Sequence, residues 1–211
     1  MKVIVTCGPS YEPIDEVRRI TNFSTGQLGT ELSNYLTAQG HDVICFRGTG
    51  STYRKKNKAK QLIPFSTSSD LAKQLQEVSD PISIRAIFHA AALGDYQVTA
   101  IKTPQGDLIH QKKIPTSQGE IILYLKPVLK LLGSLRSWFP QSFIVGWKYE
   151  VMGDAITALA KGKQQTQQYQ TDACVINGPV AGKKFILYQK KIDNSFILER
   201  VAFFEALNRL I

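Results

Sequence analysis

Four places in the sequence set small and polar residues directly after an apolar run, the arrangement of a ligand site at strand ends. The first is Gly8-Pro9-Ser10, with Ser24, Gly26 and Gly29 further on. Small residues let phosphate oxygens approach backbone N–H groups at a helix start, where the dipole favours negative charge. Gly26 lies eighteen positions after Gly8, so this is not the G-x-G-x-x-G dinucleotide fingerprint. Gly26 and Gly29 could also simply let a helix pack closely on a sheet. The second place is Ala90-Ala91-Ala92-Leu93-Gly94-Asp95. An aspartate just past a buried strand can orient a hydroxyl or amide, hold Mg²⁺, or close an Asx-type turn. The third is Gly146-Trp147-Lys148-Tyr149-Glu150, where Trp147 can stack on a base or sit in the core and Lys148 can meet a phosphate. The fourth is the strand end at Asn177-Gly178-Pro179.

Alternating strands and helices must position these groups. Val3 to Cys7 is a short, β-branched run closed by Gly8-Pro9, as a strand buried on both faces reads. A polar stretch follows from Ser10 to Thr21. Leu28, Leu32, Tyr35 and Leu36 keep helical spacing, and Gly40 stands where a C′ residue would. Further strands are expected at 42–47, 62–65, 86–91, 121–125, 143–147 and 173–176. Helices are expected at 128–138 and 154–168, with another capped by Ser69 or Asp70 and carrying Leu71, Leu75 and Val78. A loop of about twenty residues follows position 91, and loops that long are usually functional or mobile. Residues 185–189 and 196–198 flank a turn and predict a hairpin. Val201, Phe204, Leu207 and Leu210 predict one face of a closing helix. The sum is an α/β fold, a Rossmann-like, mostly parallel sheet with helices on both faces and a C-terminal antiparallel hairpin. Ligands on such sheets bind beyond the carboxyl ends of the strands.

The chain has 211 residues, 43% hydrophobic and 20% charged, which excludes wholesale disorder, collagen-like and coiled-coil classes. That length, with no internal repeat or linker, predicts a single domain over 1–211. The charge surplus, 26 − 17 = +9, points to an anionic partner. Cys7, Cys45 and Cys174 are scattered through strand-like runs and read as buried reduced thiols. The three histidines are dispersed and suggest no metal cluster. An apolar strand begins by residue 3 and no apolar run approaches ~18 residues, so neither a signal peptide nor a membrane span is expected. The expected location is cytoplasmic.

These pieces occur together in one family. Thr21-Asn22-Phe23-Ser24-Thr25-Gly26-Gln27-Leu28-Gly29 resembles the TN-x-S-[ST]-G-x-x-G segment of phosphopantothenate–cysteine ligases, within the DNA/pantothenate metabolism flavoprotein-like family. Thr6 to Ser10, with Ile14-Asp15-x-Val17-Arg18, is similar to its upstream motif. Ala91 to Tyr96 resembles its A-A-V-[AS]-D-[YFW], Lys113-Ile114 its K-I, and Val145 to Glu150 its G-F-K-L-E segment. The resemblance runs from Met1 to about Asn177 in the expected order.

The resemblance implies an enzyme of coenzyme A biosynthesis. A nucleoside triphosphate, CTP in most bacteria or ATP in eukaryotes, activates the carboxylate of 4′-phosphopantothenate with Mg²⁺, and cysteine displaces the nucleotide. CTP is favoured here. Asn22 would hold the acyl-nucleotide and Lys113 would act in its turnover. Gly8, Ser10, Ser24, Gly26 and Gly29 would cradle phosphates. Ala91 begins the segment whose Asp95 would orient the nucleotide. Trp147 would pack on the base, Lys148 and Lys161 would reach phosphates, and Asn177 would close the site. Arg18 would bind the phosphate of phosphopantothenate across the interface of a homodimer. The sequence departs from the family at Gln165, where a second lysine is common and Lys163 could substitute. It departs also at Gly94, at Trp147 in place of Phe, and at Gly178.

Two other classes compete. The run from Arg54 to Lys60 has five basic residues in seven and could serve nucleic acid, but it lacks the interleaved aromatics of a stacking platform. An NAD(P)-dependent reductase would need the missing glycine fingerprint and a Tyr-x-x-x-Lys pair. A flavin-dependent decarboxylase is rejected because Met1 and Met152 are the only methionines and no Met- and Asn-rich motif is present. Neither nucleic acid nor a membrane is an expected partner.

Overall fold

The computed structural model describes residues 1–128 and 130–211. In chain order the strands begin with β1 (Lys2–Cys7), β2 (Tyr11–Pro13) and β3 (Arg19–Thr21). Helix α1 (Gln27–Ala38), β4 (Asp42–Gly48), β5 (Gln61–Phe65) and α2 (Ser68–Gln76) follow. Next come β6 (Ile84–His89), β7 (Tyr96–Lys102), β8 (Ile122–Pro127) and α3 (Leu132–Trp138). The chain closes with β9 (Phe143–Tyr149), α4 (Ala155–Gln168), β10 (Ala173–Asn177), β11 (Phe185–Gln189), β12 (Asn194–Leu198) and α5 (Arg200–Asn208).

Eight strands form one sheet in the order β12-β11-β10-β9-β6-β1-β4-β5. β10 through β5 are parallel, while β11 and β12 run antiparallel at the edge as the hairpin reading predicts. The period-two pleat sorts the apolar strands onto two faces. Val3, Val5, Val43, Phe88, Val145 and Val175 pack with Leu32 and Leu36 of α1 and Phe203 and Leu207 of α5. Ile4, Ile44, Phe46, Ile87 and Ile144 pack with Leu71 and Leu75 of α2 and Leu135 of α3. Ala158 of α4 meets Cys174 and Ile176 of β10. Each fully buried side chain of this size stabilises the fold by about 1.5–3 kcal/mol. This doubly covered sheet is what forces the strands to be continuous apolar runs.

Several expectations are corrected. The polar stretch from Ser10 contains the β2–β3 hairpin, paired Tyr11 to Thr21. The expected long loop after position 91 contains β7, which pairs antiparallel with β8 in a sheet of its own. Helix α3 starts at Leu132 rather than 128, because Pro127 ends β8 and Val128 N–H donates to Asp95 O at 3.0 Å. Position 129 of that expected helix lies outside the described residues. Thr67, not Ser69 or Asp70, caps α2, its hydroxyl accepting from the Asp70 amide at 3.1 Å. On α5 the predicted Phe204 and Leu207 are buried and Leu210 packs against the core, but Val201 is 71% exposed and Phe203 joins the buried face in its place.

Candidate functional site

The carboxyl ends of β1, β6, β9 and β10 open into one cleft of ≈ 960 Å³. Of the predicted site residues, Gly8, Asn22, Ser24, Gly26, Gly29, Ala91, Asp95, Trp147, Lys148 and Asn177 line it. Chain topology explains the convergence, because segments far apart in sequence meet where parallel strands end side by side.

Helix α1 begins at Gly26, whose φ of 76° is left-handed backbone suited to glycine. Its first turn carries no acidic residue and Gly26 offers no side-chain cap. The Leu28 and Gly29 amides make no hydrogen bond among the described residues. The helix start therefore faces the cleft with free donors, the setting an anionic group requires. Gly8 also has a left-handed φ, 80°, and Gly29 packs against β1, where a Cβ would come within 2.3 Å of the Cys7 Cβ. Close packing of Gly29 on β1 is thus compatible with the unpaired amides of the helix start.

Asn22 donates from Nδ2 to Ala92 O at 2.8 Å, tying the loop before α1 to the loop after β6. Its second Nδ2 hydrogen and Oδ1 remain for a ligand. Ser10 is buried beneath this junction. Its hydroxyl accepts from the Gly94 amide at 2.8 Å and meets Ser68 Oγ at 3.2 Å, so it shapes the loop instead of facing the cleft. Asp95 is exposed at the cleft mouth and pairs with Lys130. Lys148 sits 3.6 Å from Glu150, and Lys161 binds the same carboxylate at 2.5 Å. Lys161 does not line the cleft. Trp147 borders the cleft and meets Phe203 edge-on at 6.3 Å, so it stands between the cleft wall and the core. Its buried Nε1–H has no partner among the described residues.

Arg18 and Lys113 lie outside the cleft. Arg18 forms a two-nitrogen contact with Asp15 Oδ2, at 2.5 and 3.1 Å, and donates to Ile114 O. Asp15 in turn accepts from the Ile114 amide at 3.1 Å. The Arg18 guanidinium holds the Asp15 carboxyl well below the usual carboxylate range. The segment carrying exposed Lys113 is thus stitched to the Asp15–Arg18 turn. Lys163, the suggested substitute at the Gln165 departure, pairs with Asp193 at 2.7 Å away from the cleft. Gln165 itself is buried at the cleft wall and donates toward Trp147 O at 3.4 Å.

Sequence reasoning missed His89, Lys130, Arg200 and the exposed Phe23, all of which line the cleft. His89 closes the central apolar strand, and that position was its only signal. Burial lowers the His89 pKa to about 4 and pushes the Cys174 thiol up to about 12. All three cysteines are buried and free. Among the described residues no group of three acidic, histidine or cysteine side chains could hold a metal ion, and no helix is long and apolar enough to cross a membrane.

The architecture is that of a Rossmann-like α/β protein with a helix start of unpaired amides facing a cleft at the strand ends. Residues 1–198 match the DNA/pantothenate metabolism flavoprotein C-terminal domain, and the chain belongs to that family. It is similar to the coenzyme A biosynthesis bifunctional protein CoaBC of Bacillus subtilis (strain 168), 30% identical over 148 residues, 70% of this chain and 34% of that protein. It is also similar to phosphopantothenate–cysteine ligase of Mus musculus, 27% identical over 141 residues, 64% of this chain and 43% of that protein. The chain thus spans less than half the length of either relative. Its fold matches the DNA/pantothenate metabolism flavoprotein from Streptococcus pneumoniae with a TM-score of 0.86 and 21% identity, covering 99% of this chain and 97% of that one.

Proposed function

We propose that residues 1–211 act as one ligase domain that joins 4′-phosphopantothenate to cysteine, using CTP in preference to ATP. The observation that carries this reading is the cleft itself, which gathers ten of the residues the ligase resemblance selects. A carboxylate oxygen of phosphopantothenate attacks the α-phosphorus of the nucleotide, and pyrophosphate leaves. The amine of cysteine then attacks the acyl carbon, the nucleoside monophosphate leaves, and the amine loses a proton.

The chain's groups divide this work. The free amides of Leu28 and Gly29, with Ser24 and Gly26, receive phosphate oxygens. Asn22 donates to the activated carbonyl while its loop stays tied to Ala92. Trp147 lies against the base, and Asp95 with Lys130 orients the nucleotide at the cleft mouth. Mg²⁺ would neutralise charge on the phosphates. The structure offers Asp95 at the cleft and no three-residue cage among the described residues, which suits an ion carried mainly by the nucleotide. Arg18 and Lys113 sit together outside this chain's own cleft. In a homodimer they would serve from the interface, Arg18 on the substrate phosphate and Lys113 on the intermediate.

The test is exchange of labelled pyrophosphate into the nucleotide without cysteine. Exchange that requires phosphopantothenate, and is faster with CTP than ATP, is expected. Absence of exchange with either nucleotide would overturn the activation step.

A further inference from the structure

The feature that the ligase reading leaves unused is the imidazole at the bottom of the cleft. His89 ends β6, beside Thr6 of β1 on one side and Gly146 of β9 on the other. It is 6% exposed and lines the cleft. Its Nδ1 lies 2.8 Å from Thr6 Oγ1. The same hydroxyl oxygen accepts from the Ala91 amide at 3.2 Å.

Hydrogen-bond accounting then fixes the tautomer. A hydroxyl has one hydrogen to donate. Thr6 Oγ1 accepts the Ala91 N–H on one of its two lone pairs, and its hydrogen has one acceptor among the described residues, His89 Nδ1, so an Nδ1–H tautomer would leave that buried hydroxyl hydrogen unpaired. Nδ1 is therefore the accepting nitrogen, and the proton of the ring sits on Nε2. Nε2 makes no hydrogen bond among the described residues and is not fully buried, and His89 lines the cleft. The result is a donor locked in place by a buried hydroxyl, at the end of the strand next to the one that leads into Gly8.

We propose that His89 is a ligand-binding residue whose Nε2–H donates to a phosphate-chain oxygen of the bound nucleotide, with Thr6 as its positioning residue. Burial keeps the ring uncharged, so it supplies a directed donor without another cation in a cleft already lined by Lys130, Lys148 and Arg200. An uncharged imidazole acting as a fixed donor is established chemistry. This inference rests on the nucleotide-dependent reading above.

The experiment uses the full chain. In ¹⁵N-histidine NMR, the ring signals assigned to His89 should report the Nε2–H tautomer, and adding CTP or ATP should shift Nε2. Thr6→Val, which keeps the shape and removes the hydroxyl, should populate the other tautomer. Calorimetry should show nucleotide binding weakened roughly ten- to a hundredfold in His89→Ala, the usual effect of losing a hydrogen bond to a charged oxygen. His89→Gln, which can still donate, should lose less. An Nδ1–H tautomer in the free protein, or wild-type affinity in folded His89→Ala, would overturn this inference alone. A wild-type protein that binds no nucleotide would overturn both it and the ligase reading.

Discussion

Single residues of this chain carry opposite electrostatic demands. His89 is held uncharged by burial, with its pKa near 4, while Asp15 is held ionised by Arg18. In the unfolded chain the imidazole takes a proton near pH 6.5, but in the folded chain only near pH 4. Between those values the unfolded state binds more protons, so stability falls as pH drops through that window, by up to about 3 kcal/mol. Denaturant titrations at pH 7 and 4.5 should show a steeper loss in wild type than in His89→Gln, and equal losses would contradict this assignment. Asp15 works in the same sense in a more acidic window: its contribution is present above the unfolded carboxylate pKa and is lost as pH falls below it. At Gly26 the backbone sits at φ 76° and a Cβ would come within 2.6 Å of Ser51 Oγ. Gly26→Ala should cost about 1–3 kcal/mol of stability and weaken nucleotide binding, read from the denaturation midpoint and by calorimetry. Asn22→Asp, which removes the amide donor, should leave the protein folded and slow turnover of the acyl-nucleotide. Turnover at the wild-type rate would remove Asn22 from the mechanism.

At the scale of elements, the parallel strands were legible because burial on both faces makes each a continuous apolar run, as in Val3 to Cys7. The β7–β8 pair was not, because its strands are separated by nineteen residues (103–121) and its surface is half exposed, with Tyr96, Tyr124 and Leu125 near half accessible. No local turn signal joins such partners, and the pairing is decided in three dimensions. The cleft lining was legible at or near the carboxyl ends of the strands, as with Gly8 just past β1 and Trp147 near the end of β9. The placement of Lys161 and Lys163 was not legible, because their partners Glu150 and Asp193 come from other segments. Two substitutions test the face of α5. Phe203→Ala should cost about 3–5 kcal/mol, whereas Val201→Ala should change stability by less than about 0.5 kcal/mol, both read from denaturant midpoints. A comparable loss at both positions would put Val201 in the core, as the sequence predicts.

For the whole molecule, the +9 surplus divides unevenly. The basic run at 54–60 is pinned to β4 by buried Asn57, which donates to Cys45 Sγ at 3.2 Å, and to α1 by Lys58 N–H on Asn34 Oδ1. None of its cations lines the cleft. The cations that do, Lys130, Lys148 and Arg200, are each matched to a carboxylate, Asp95, Glu150 and Glu31. Glu150 is shared with Lys161, so the cleft cations are held by carboxylates that a polyanionic ligand would displace. Arg18 and Lys113 remain outside it, and sedimentation should accordingly show a dimer whose loss lowers turnover. The central claim is amide-bond formation, and the direct measurement is mass-spectrometric detection of phosphopantothenoylcysteine after incubation with 4′-phosphopantothenate, cysteine and each nucleotide in turn. The account predicts product with CTP, less with ATP, and none without nucleotide. No product with any nucleotide, from a folded protein, would contradict it.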